Sequence, residues 1–192
     1  MKYIVTGGAG FIGSNLVDLL VEEGHDVNVI DNFSSGKREN CNEKAKYFEL
    51  DISDQSNYEE LKSIFLGSDG IFHLAALPRV QESIDNPLQF EKNNTLSTIN
   101  VLKACADSNV KRLVYSASSS AYGNTVKLPS KEEDPINPIS PYAMQKYYGE
   151  VACRMFANVY GIETVSLRYF NVYGERQSLE GAYALVMCVF AR

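Results

Sequence analysis

The stretch TGGAGFIG, residues 6–13, places four glycines in eight positions directly after a short apolar run. Glycine loses more conformational freedom on folding than any other residue, so such a cluster indicates backbone that turns tightly or approaches another group closely. Gly8, Gly10 and Gly13 fit the G-x-G-x-x-G dinucleotide fingerprint, and Gly7, Gly10 and Gly13 fit a close variant. The fingerprint is informative only where it follows a strand and opens a helix.

The flanking segments supply that context. Apolar, β-branched runs predict strands at residues 2–6, 27–31, 47–50, 70–74, 112–116 and 164–168. Helical periodicity predicts helices at residues 11–23, 58–65, 88–108 and 142–160. Strands that alternate with helices predict an α/β fold, a doubly wound and mainly parallel Rossmann sheet with helices on both faces. The glycines then lie at the start of the first helix, whose free N–H groups can bind a pyrophosphate.

Composition and charge argue against several classes of protein. The 192 residues are 45% hydrophobic and 22% charged, which is ordinary for a soluble globular domain. A net charge of -6 argues against nucleic acid and an anionic membrane surface as partners. We find no secretory signal and no apolar run long enough to span a membrane, and we expect a cytoplasmic protein. The four cysteines form no C-x-x-C pair, so we expect reduced thiols and no metal site.

Asp31 ends the second predicted strand. A carboxylate at this place can accept hydrogen bonds from the adenosine ribose and would repel a 2′-phosphate, which favours NAD over NADP. The alternative is a tight glycine turn that binds no ligand.

Tyr142 and Lys146 are four residues apart on a predicted helix and therefore lie on one face of it. Free tyrosine has a pKa of about 10, and we expect the neighbouring lysine ammonium to lower the pKa of Tyr142. The phenol could then act as an acid and base for a sugar hydroxyl. The alternative is a chance pair on the surface.

Residues 115–123, YSASSSAYG, follow the fifth predicted strand. Carboxyl ends of strands are where open α/β sheets place their ligands, and three consecutive hydroxyls there could bond a substrate oxygen. The alternative is a polar loop that caps the strand ends.

Together these motifs resemble those of the extended short-chain dehydrogenase/reductase family, and within it the UDP-glucose and UDP-N-acetylglucosamine 4-epimerases. The resemblance covers essentially the whole chain and also rests on DNFSSG at residues 31–36, HLAAL at residues 73–77 and LRYFNVYG at residues 167–174. It implies a UDP-sugar substrate and NAD as cofactor.

The resemblance also implies roles for individual residues. Tyr142 matches the proton acceptor, Ser118 the serine that bonds the reacting hydroxyl, and Lys146 the lysine that holds the nicotinamide ribose. Ser118, Ser119, Tyr142 and Asn171 are expected to contact the substrate, and His73 is expected to be structural. The residues expected to bind NAD are Gly7, Gly10, Phe11, Ile12, Gly13, Asp31, Asn32, Ser34, Ser35, Gly36, Asp51, Ile52, Leu74, Ala75, Ala76, Leu77, Asn94, Tyr142, Lys146 and Phe170.

The implied reaction is inversion at C4 of a UDP-hexose through a transient 4-keto sugar. A 4,6-dehydratase of the same family needs an Asp-Glu pair where this chain has Ser119 and Ser120. That activity is therefore disfavoured, whereas a C4 reductase or another epimerase stays open.

Members of the family are much longer than 192 residues. We therefore expect residues 1–170 to form the NAD-binding domain and residues 171–192 to begin a truncated substrate domain. The chain by itself could be an NAD-binding module without turnover. We also expect a homodimer through two long helices. The expected contact stripes are Leu96, Ile99, Leu102 and Cys105 on one helix, and Tyr147, Val151, Arg154 and Met155 on the other.

Overall fold

Six parallel strands form the central sheet in a computed structural model that describes residues 1–125 and 127–177. In chain order the strands are β1 (Lys2–Thr6), β2 (Asp26–Asp31), β3 (Lys46–Glu49), β4 (Gly70–His73), β5 (Arg112–Ser118) and β6 (Glu163–Tyr169). Their order across the sheet is β3-β2-β1-β4-β5-β6. This is the Rossmann order, and it confirms the predicted doubly wound sheet.

The helices connect and cover these strands. They are α1 (Phe11–Glu22), α2 (Tyr58–Phe65), α3 (Val80–Asp85), α4 (Pro87–Phe90), α5 (Ser97–Asp107) and α6 (Pro141–Tyr160). Of these, α3 was not predicted. The helix predicted at residues 88–108 is interrupted by a π-helical turn, Glu91–Leu96, between α4 and α5. Apolar periodicity could not show this, because one additional residue in a turn leaves most of the pattern intact.

The start and end of α6 follow from its sequence. The Ser140 hydroxyl accepts a hydrogen bond from the Ala143 N–H, and Pro141 takes the first helical position. Gly161 ends the helix in the left-handed conformation, with φ of 74°. These caps fix the register in which Tyr142 and Lys146 face the sheet.

Two apolar layers bury the faces of the sheet. Alternate residues of a strand point to opposite faces, so Ile4 packs on the layer of α2, α5 and α6, and Val5 packs with Val17 of α1. The deepest part of the larger layer includes Leu102 and Leu113. Burial on both faces is what a parallel sheet requires.

The strand order reverses between β1 and β4, which are neighbours although two strands and two helices separate them in sequence. Open α/β sheets bind ligands at such a switch point, outside the carboxyl ends of the strands. The glycine turn after β1 and the segment after β4 both lie there.

Beyond β6, residues 171–177 return to α1. Asn15 donates from Nδ2 to the Glu175 carbonyl oxygen at 3.1 Å, and Arg176 pairs with Asp18 at 2.6 Å. Most of the expected second domain, residues 178–192, lies outside the described residues, so the domain division stays a prediction. No helix among the described residues is long and apolar enough to cross a membrane.

Candidate active site

The turn between β1 and α1 is built from glycines that admit no side chain. A Cβ atom at Gly7, where φ is +73°, would lie 2.8 Å from the Ala75 backbone. A Cβ atom at Gly13 would lie 2.2 Å from the Gly7 carbonyl oxygen. At Gly10 the nearest atom would be that same oxygen at 3.2 Å, and nothing else lies within 4 Å. Backbone atoms of the turn therefore pack closely on one another at Gly7 and Gly13, whereas the space beside Gly10 is nearly unobstructed. Close approach of a pyrophosphate requires such an unobstructed backbone.

The amino terminus of α1 is open to an anion. Gly10 is its N-cap and no side chain caps the helix. The N–H groups of Phe11 and Ile12 belong to the first turn, where no helical carbonyl is available to them. Both side chains line a small cavity of about 160 Å³ that residues 172–175 complete. Together with the glycine turn, this geometry fits the diphosphate of NAD.

Asp31 holds the glycine turn as well as facing the predicted ribose site. Its Oδ2 accepts from the Ala9 N–H at 2.9 Å and its Oδ1 accepts from the Phe33 N–H at 2.8 Å. Gly36 packs on both oxygens, where a Cβ atom would come within 2.8–2.9 Å. Each carboxylate oxygen has a second acceptor site, so both backbone bonds can coexist with ribose hydroxyls.

The other residues expected at the adenosine end lie around Asp31 and after β3. Asn32 accepts from the N–H and the hydroxyl of Ser34, while Ser35 is exposed. The Asp51 side chain accepts from Ser53. Ile52 is buried in the larger apolar layer, and its carbonyl accepts from Asn100. The structure thus brings these loops to one end of the cleft.

His73 lies beneath the cleft in a buried network. Its Nδ1 is 2.8 Å from the Thr6 hydroxyl and its Nε2 is 3.1 Å from the Thr98 hydroxyl. Thr98 itself donates to the Asn94 carbonyl, so Nε2 must be the ring nitrogen that carries the proton. Burial, together with the positive charge of Lys146, lowers the pKa of His73 to about 3. These contacts support the expected structural role.

The segment 74–77 leaves β4 beside the glycine turn and is partly buried. Asn94, expected to line the same path, is only 2% exposed. Its Oδ1 accepts from the Leu77 N–H at 2.8 Å and its Nδ2 donates to the Leu77 carbonyl at 3.1 Å. In the described contacts Asn94 acts on the cleft through the backbone of Leu77.

Ser118 and Tyr142 meet where β5 ends and α6 begins. The Ser118 hydroxyl accepts from the Ser120 N–H at 3.1 Å and lies 3.0 Å from the Ser120 hydroxyl. Burial raises the pKa of Tyr142, and a hydrogen bond with Ser118 offsets part of that effect. The strand end thus brings a hydroxyl and a phenol together at one point.

Lys146 points under the cleft toward β5. Its Nζ donates to the Ser116 carbonyl oxygen at 2.8 Å and lies 5.2 Å from the centre of the Tyr115 ring. Burial lowers the pKa of Lys146 to about 8.

The expectation that Lys146 lowers the pKa of Tyr142 needs correction. The pKa of Tyr142 is raised, because its phenol is largely withdrawn from water. The Lys146 ammonium bonds the Ser116 carbonyl, and it does not contribute to the pKa shift of Tyr142. Spacing on a helix predicted a shared face but could not predict which atom the ammonium would contact.

The remaining predicted residues lie at the rim. Phe170 follows β6, stacks on Tyr122 at 6.3 Å and is 63% exposed. Asn171 is exposed next to it, and Ser119 is half-buried in the turn after β5. The structure therefore places them on the same side of the cleft as Ser118.

Two residues that contact the site were not predicted. Ser83 of α3 is fully buried and its hydroxyl accepts from the Tyr142 N–H at 3.1 Å. Gln145 lies between Tyr142 and Lys146 in sequence and is also buried. A serine in a short polar helix and a glutamine within a helical repeat carry no distinctive signal in a single sequence.

A glycine turn of this kind, combined with a tyrosine and a lysine one helical turn apart, is typical of Rossmann proteins that bind a dinucleotide and transfer a proton beside it. The chain belongs to the NAD dependent epimerase/dehydratase family, whose family model matches residues 3–191. Both the resemblance in sequence and the predicted cofactor, NAD, are thereby confirmed.

Individual relatives agree with this assignment. The chain is 42% identical over 177 residues to a UDP-glucose 4-epimerase of Lactobacillus helveticus, covering 91% of this chain and 52% of that protein. A UDP-glucose 4-epimerase from Thermotoga maritima, solved with UDP-glucose, is 41% identical with a TM-score of 0.93, covering 99% of this chain and 62% of that one. The Thermus thermophilus UDP-glucose 4-epimerase in complex with NAD is 36% identical with a TM-score of 0.90, covering 100% and 61%. The chain thus spans between half and two thirds of the length of these relatives.

Proposed function

We propose that the whole protein epimerises a UDP-hexose at C4, and that this chain contributes its NAD site and its proton-transfer residues. The observation that carries the proposal is the meeting of Ser118, Tyr142 and Lys146 at the ends of β5 and α6, beside the dinucleotide turn. Relatives described as UDP-glucose 4-epimerases, one of them solved with UDP-glucose, support this choice of substrate.

Each of these residues has a defined task at a stated atom. The Tyr142 phenol oxygen accepts the proton of the C4 hydroxyl and later returns a proton to C4 oxygen, while Ser118 orients that hydroxyl. NAD, when bound, supplies the hydride acceptor and donor. Because burial raises the pKa of Tyr142, proton acceptance at neutral pH requires positive charge near the phenol. We propose that Lys146, on the same helix face, contributes this charge when the cofactor is bound, because in this structure its ammonium bonds the Ser116 carbonyl and does not lower the pKa of Tyr142.

The turn after β5 bears on the choice between epimerisation and elimination. Ser119 and Ser120 lie where the 4,6-dehydratases carry an acid pair. A hydroxyl cannot protonate a leaving C6 hydroxyl at neutral pH as a carboxylic acid can. Elimination is therefore the weaker proposal.

A product assay distinguishes the two reactions. The whole protein is incubated with NAD and either UDP-glucose or UDP-N-acetylglucosamine, and the products are separated by chromatography. We expect the C4 epimer of at least one substrate. Accumulation of a 4-keto-6-deoxy sugar would show that the protein is a dehydratase instead.

A second candidate concerns the 192-residue chain alone, which we propose binds NAD without turning over a UDP-sugar. Phe170 and Tyr173, at the substrate rim, are each 63% exposed, so the described residues leave that side of the cleft open. Calorimetric titration should detect NAD binding by this chain. Measurable epimerisation by the same sample would contradict the proposal.

We also propose that the protein forms a homodimer through α6. Of the stripe predicted on this helix, Val151, Arg154 and Met155 are exposed and Tyr147 is half-buried. The row of apolar side chains that is exposed at helical spacing is Met144, Tyr148, Val151, Met155 and Val159. The stripe expected on the other helix does not serve this purpose, because Leu102 and Cys105 are fully buried against the sheet. Light scattering should show a dimer that Val151→Glu converts to a monomer, and a monomeric native protein would contradict the proposal.

A further inference from the structure

Gln145 joins two parts of the site that are distant in sequence. It lies one residue before Lys146 on α6 and is 1% exposed. Its Oε1 accepts from Nδ2 of Asn94 at 3.1 Å, and its Nε2 donates to Oε2 of Glu91 at 3.2 Å. Both partners belong to the π-helical turn Glu91–Leu96. A buried amide with both ends bonded to one turn holds that turn at a fixed distance from α6.

The direction of each hydrogen bond in this series is determined. Glu91 presents a carboxylate, which only accepts, so Nε2 of Gln145 must face it. Oε1 of Gln145 then faces Nδ2 of Asn94, and Oδ1 of Asn94 is left for the Leu77 N–H. A series of amides with a single possible direction cannot shift by flipping one member. It runs from Glu91 across α6 to the backbone of segment 74–77.

The far end of the series is anchored to the sheet. The Asn94 carbonyl accepts from the Thr98 hydroxyl at 2.6 Å, and Thr98 contacts His73 of β4. The Asn94 backbone is therefore fixed to the floor of the cleft while its side chain holds Leu77. π-Helical turns occur frequently at functional sites. Here the turn carries both partners of Gln145, Glu91 and Asn94, and both of them contact α6.

We propose that Gln145 is a positioning residue, which sets the spacing between segment 74–77 on the cofactor side and the face of α6 that carries Tyr142 and Lys146. The proposal deepens the proposed function and rests on it only in that this cleft binds NAD. Gln145 acts through Asn94 and Glu91 and is assigned no contact with the reacting atoms.

Exchanging the side chains of Gln145 and Glu91 tests the proposal. Gln145→Glu removes the donor toward Glu91 and places a buried carboxylate at residue 145 against the carboxylate of Glu91, which is itself exposed. We expect NAD affinity of the 192-residue chain, measured by calorimetry, to fall at least about tenfold. Glu91→Gln alone should change it little, because an amide oxygen can still accept from Nε2. In the double variant Gln145→Glu with Glu91→Gln, a donor again faces an acceptor, and most of the affinity should return.

Two controls separate positioning from general destabilisation. Gln89→Glu makes the same change on an exposed residue of α4 and should leave affinity unaltered. Leu61→Ala, in the apolar layer under α2, should lower the melting temperature without a matching loss of NAD affinity. In the whole protein, Gln145→Glu should lower kcat as well as raise KM, and the double variant should recover both.

Failure of the inference and failure of the proposed function give different results. Normal NAD affinity in Gln145→Glu, or an equal loss in the double variant, would overturn the positioning role even if the whole protein epimerises UDP-sugars. A rescued NAD affinity in a protein that epimerises no UDP-sugar would support the positioning role and overturn the proposed function.

Discussion

The two ends of the cleft are built from different kinds of contact. At the adenosine end the backbone makes most of the contacts: Gly7 and Gly13 pack on other backbone atoms, and Asp31 is tied to two N–H groups. At the sugar end polar side chains make the contacts, partly to backbone groups: Lys146 donates to the Ser116 carbonyl and Ser118 accepts from the Ser120 N–H. The pKa values of Tyr142 and Lys146 are shifted by burial. The adenosine end should therefore be sensitive mainly to changes of shape, whereas the sugar end, where the pKa of Lys146 is about 8, should be sensitive to single polar atoms and to pH.

The largest expected effect is at the sugar end. Tyr142→Phe removes one oxygen and should reduce epimerisation by the whole protein by about 10²–10⁴-fold, the usual contribution of a positioned acid or base. NAD affinity, measured by calorimetry, should change little because the ring stays in place. Tyr160→Phe, at the exposed end of α6, is the matched control and should be fully active. Equal loss of NAD binding and activity in Tyr142→Phe would show that the phenol has no separate part in the chemistry.

The next largest effect is at the adenosine end. Gly13→Ala places a methyl group 2.2 Å from the Gly7 carbonyl and 2.8 Å from the Gly8 Cα atom. Because backbone must move, we expect a loss of about 3 kcal/mol in the free energy of unfolding and a severe loss of NAD affinity.

The matched control for this change is Gly67→Ala. At Gly67 φ is +70° but no atom lies within 4 Å of the methyl group that alanine would add, so only the backbone strain of about 1–2 kcal/mol remains. Denaturant unfolding and calorimetry should separate the two variants. Unchanged NAD affinity in Gly13→Ala would contradict the role assigned to the turn.

Lys146→Met should have opposite effects on stability and binding. The pKa of Lys146 in the folded chain, about 8, lies below its ordinary value of 10.5, so burying the charge opposes folding at neutral pH. We expect the variant to be more stable by about 1–3 kcal/mol at pH 7 and to bind NAD more weakly. The difference in stability should narrow between pH 8 and pH 10.5, as the native lysine in the folded chain loses its proton. If the difference in the free energy of unfolding between the two proteins stays constant over this pH range, burial of the lysine charge is not the cause of that difference.

Asp31→Asn should have the smallest effect of these substitutions, and the effect should be on NAD affinity and on the preference for NAD over NADP. The amide keeps the size of the side chain but has only one oxygen for the N–H groups of Ala9 and Phe33, and it no longer repels a 2′-phosphate. We expect NAD affinity to fall about tenfold, as for one lost charged hydrogen bond, and the preference over NADP to decrease. Asp26→Asn, at the exposed opposite end of β2, should change neither the NAD affinity nor the preference over NADP. Equal affinity of the native chain for NAD and NADP would remove the basis of this prediction.

Two kinds of feature could be predicted from the sequence: elements with a periodic apolar pattern, and a turn whose backbone admits only glycine. The strand positions followed from apolar runs, α2 was predicted at its observed bounds, and the glycine turn was recognisable because only glycine fits there. Features that depend on one contact between distant elements were out of reach. The bond from Lys146 to Ser116 and the raised pKa of Tyr142 arise from packing of α6 on β5, which no spacing within either segment encodes.

The same limit applies to the π-helical turn. A helix with or without it has nearly the same apolar pattern, yet its presence decides that Asn94 bonds Leu77 and Gln145. The predicted contact stripe at Leu102 and Cys105 was assigned to a dimer for a related reason, since periodicity identifies an apolar face but not the surface that covers it.

The neutral imidazole beneath the cleft has a consequence for kinetics. The chain has two histidines, and His25 lies in the turn before β2, at the end of the sheet opposite the cleft. With the pKa of His73 near 3, no imidazole at the site changes its charge between pH 5 and pH 7.5. The histidines of this chain should therefore add no step to a plot of rate against pH in that region. Among the residues of this chain, a step near pH 8 would then report on Lys146, whose pKa is about 8.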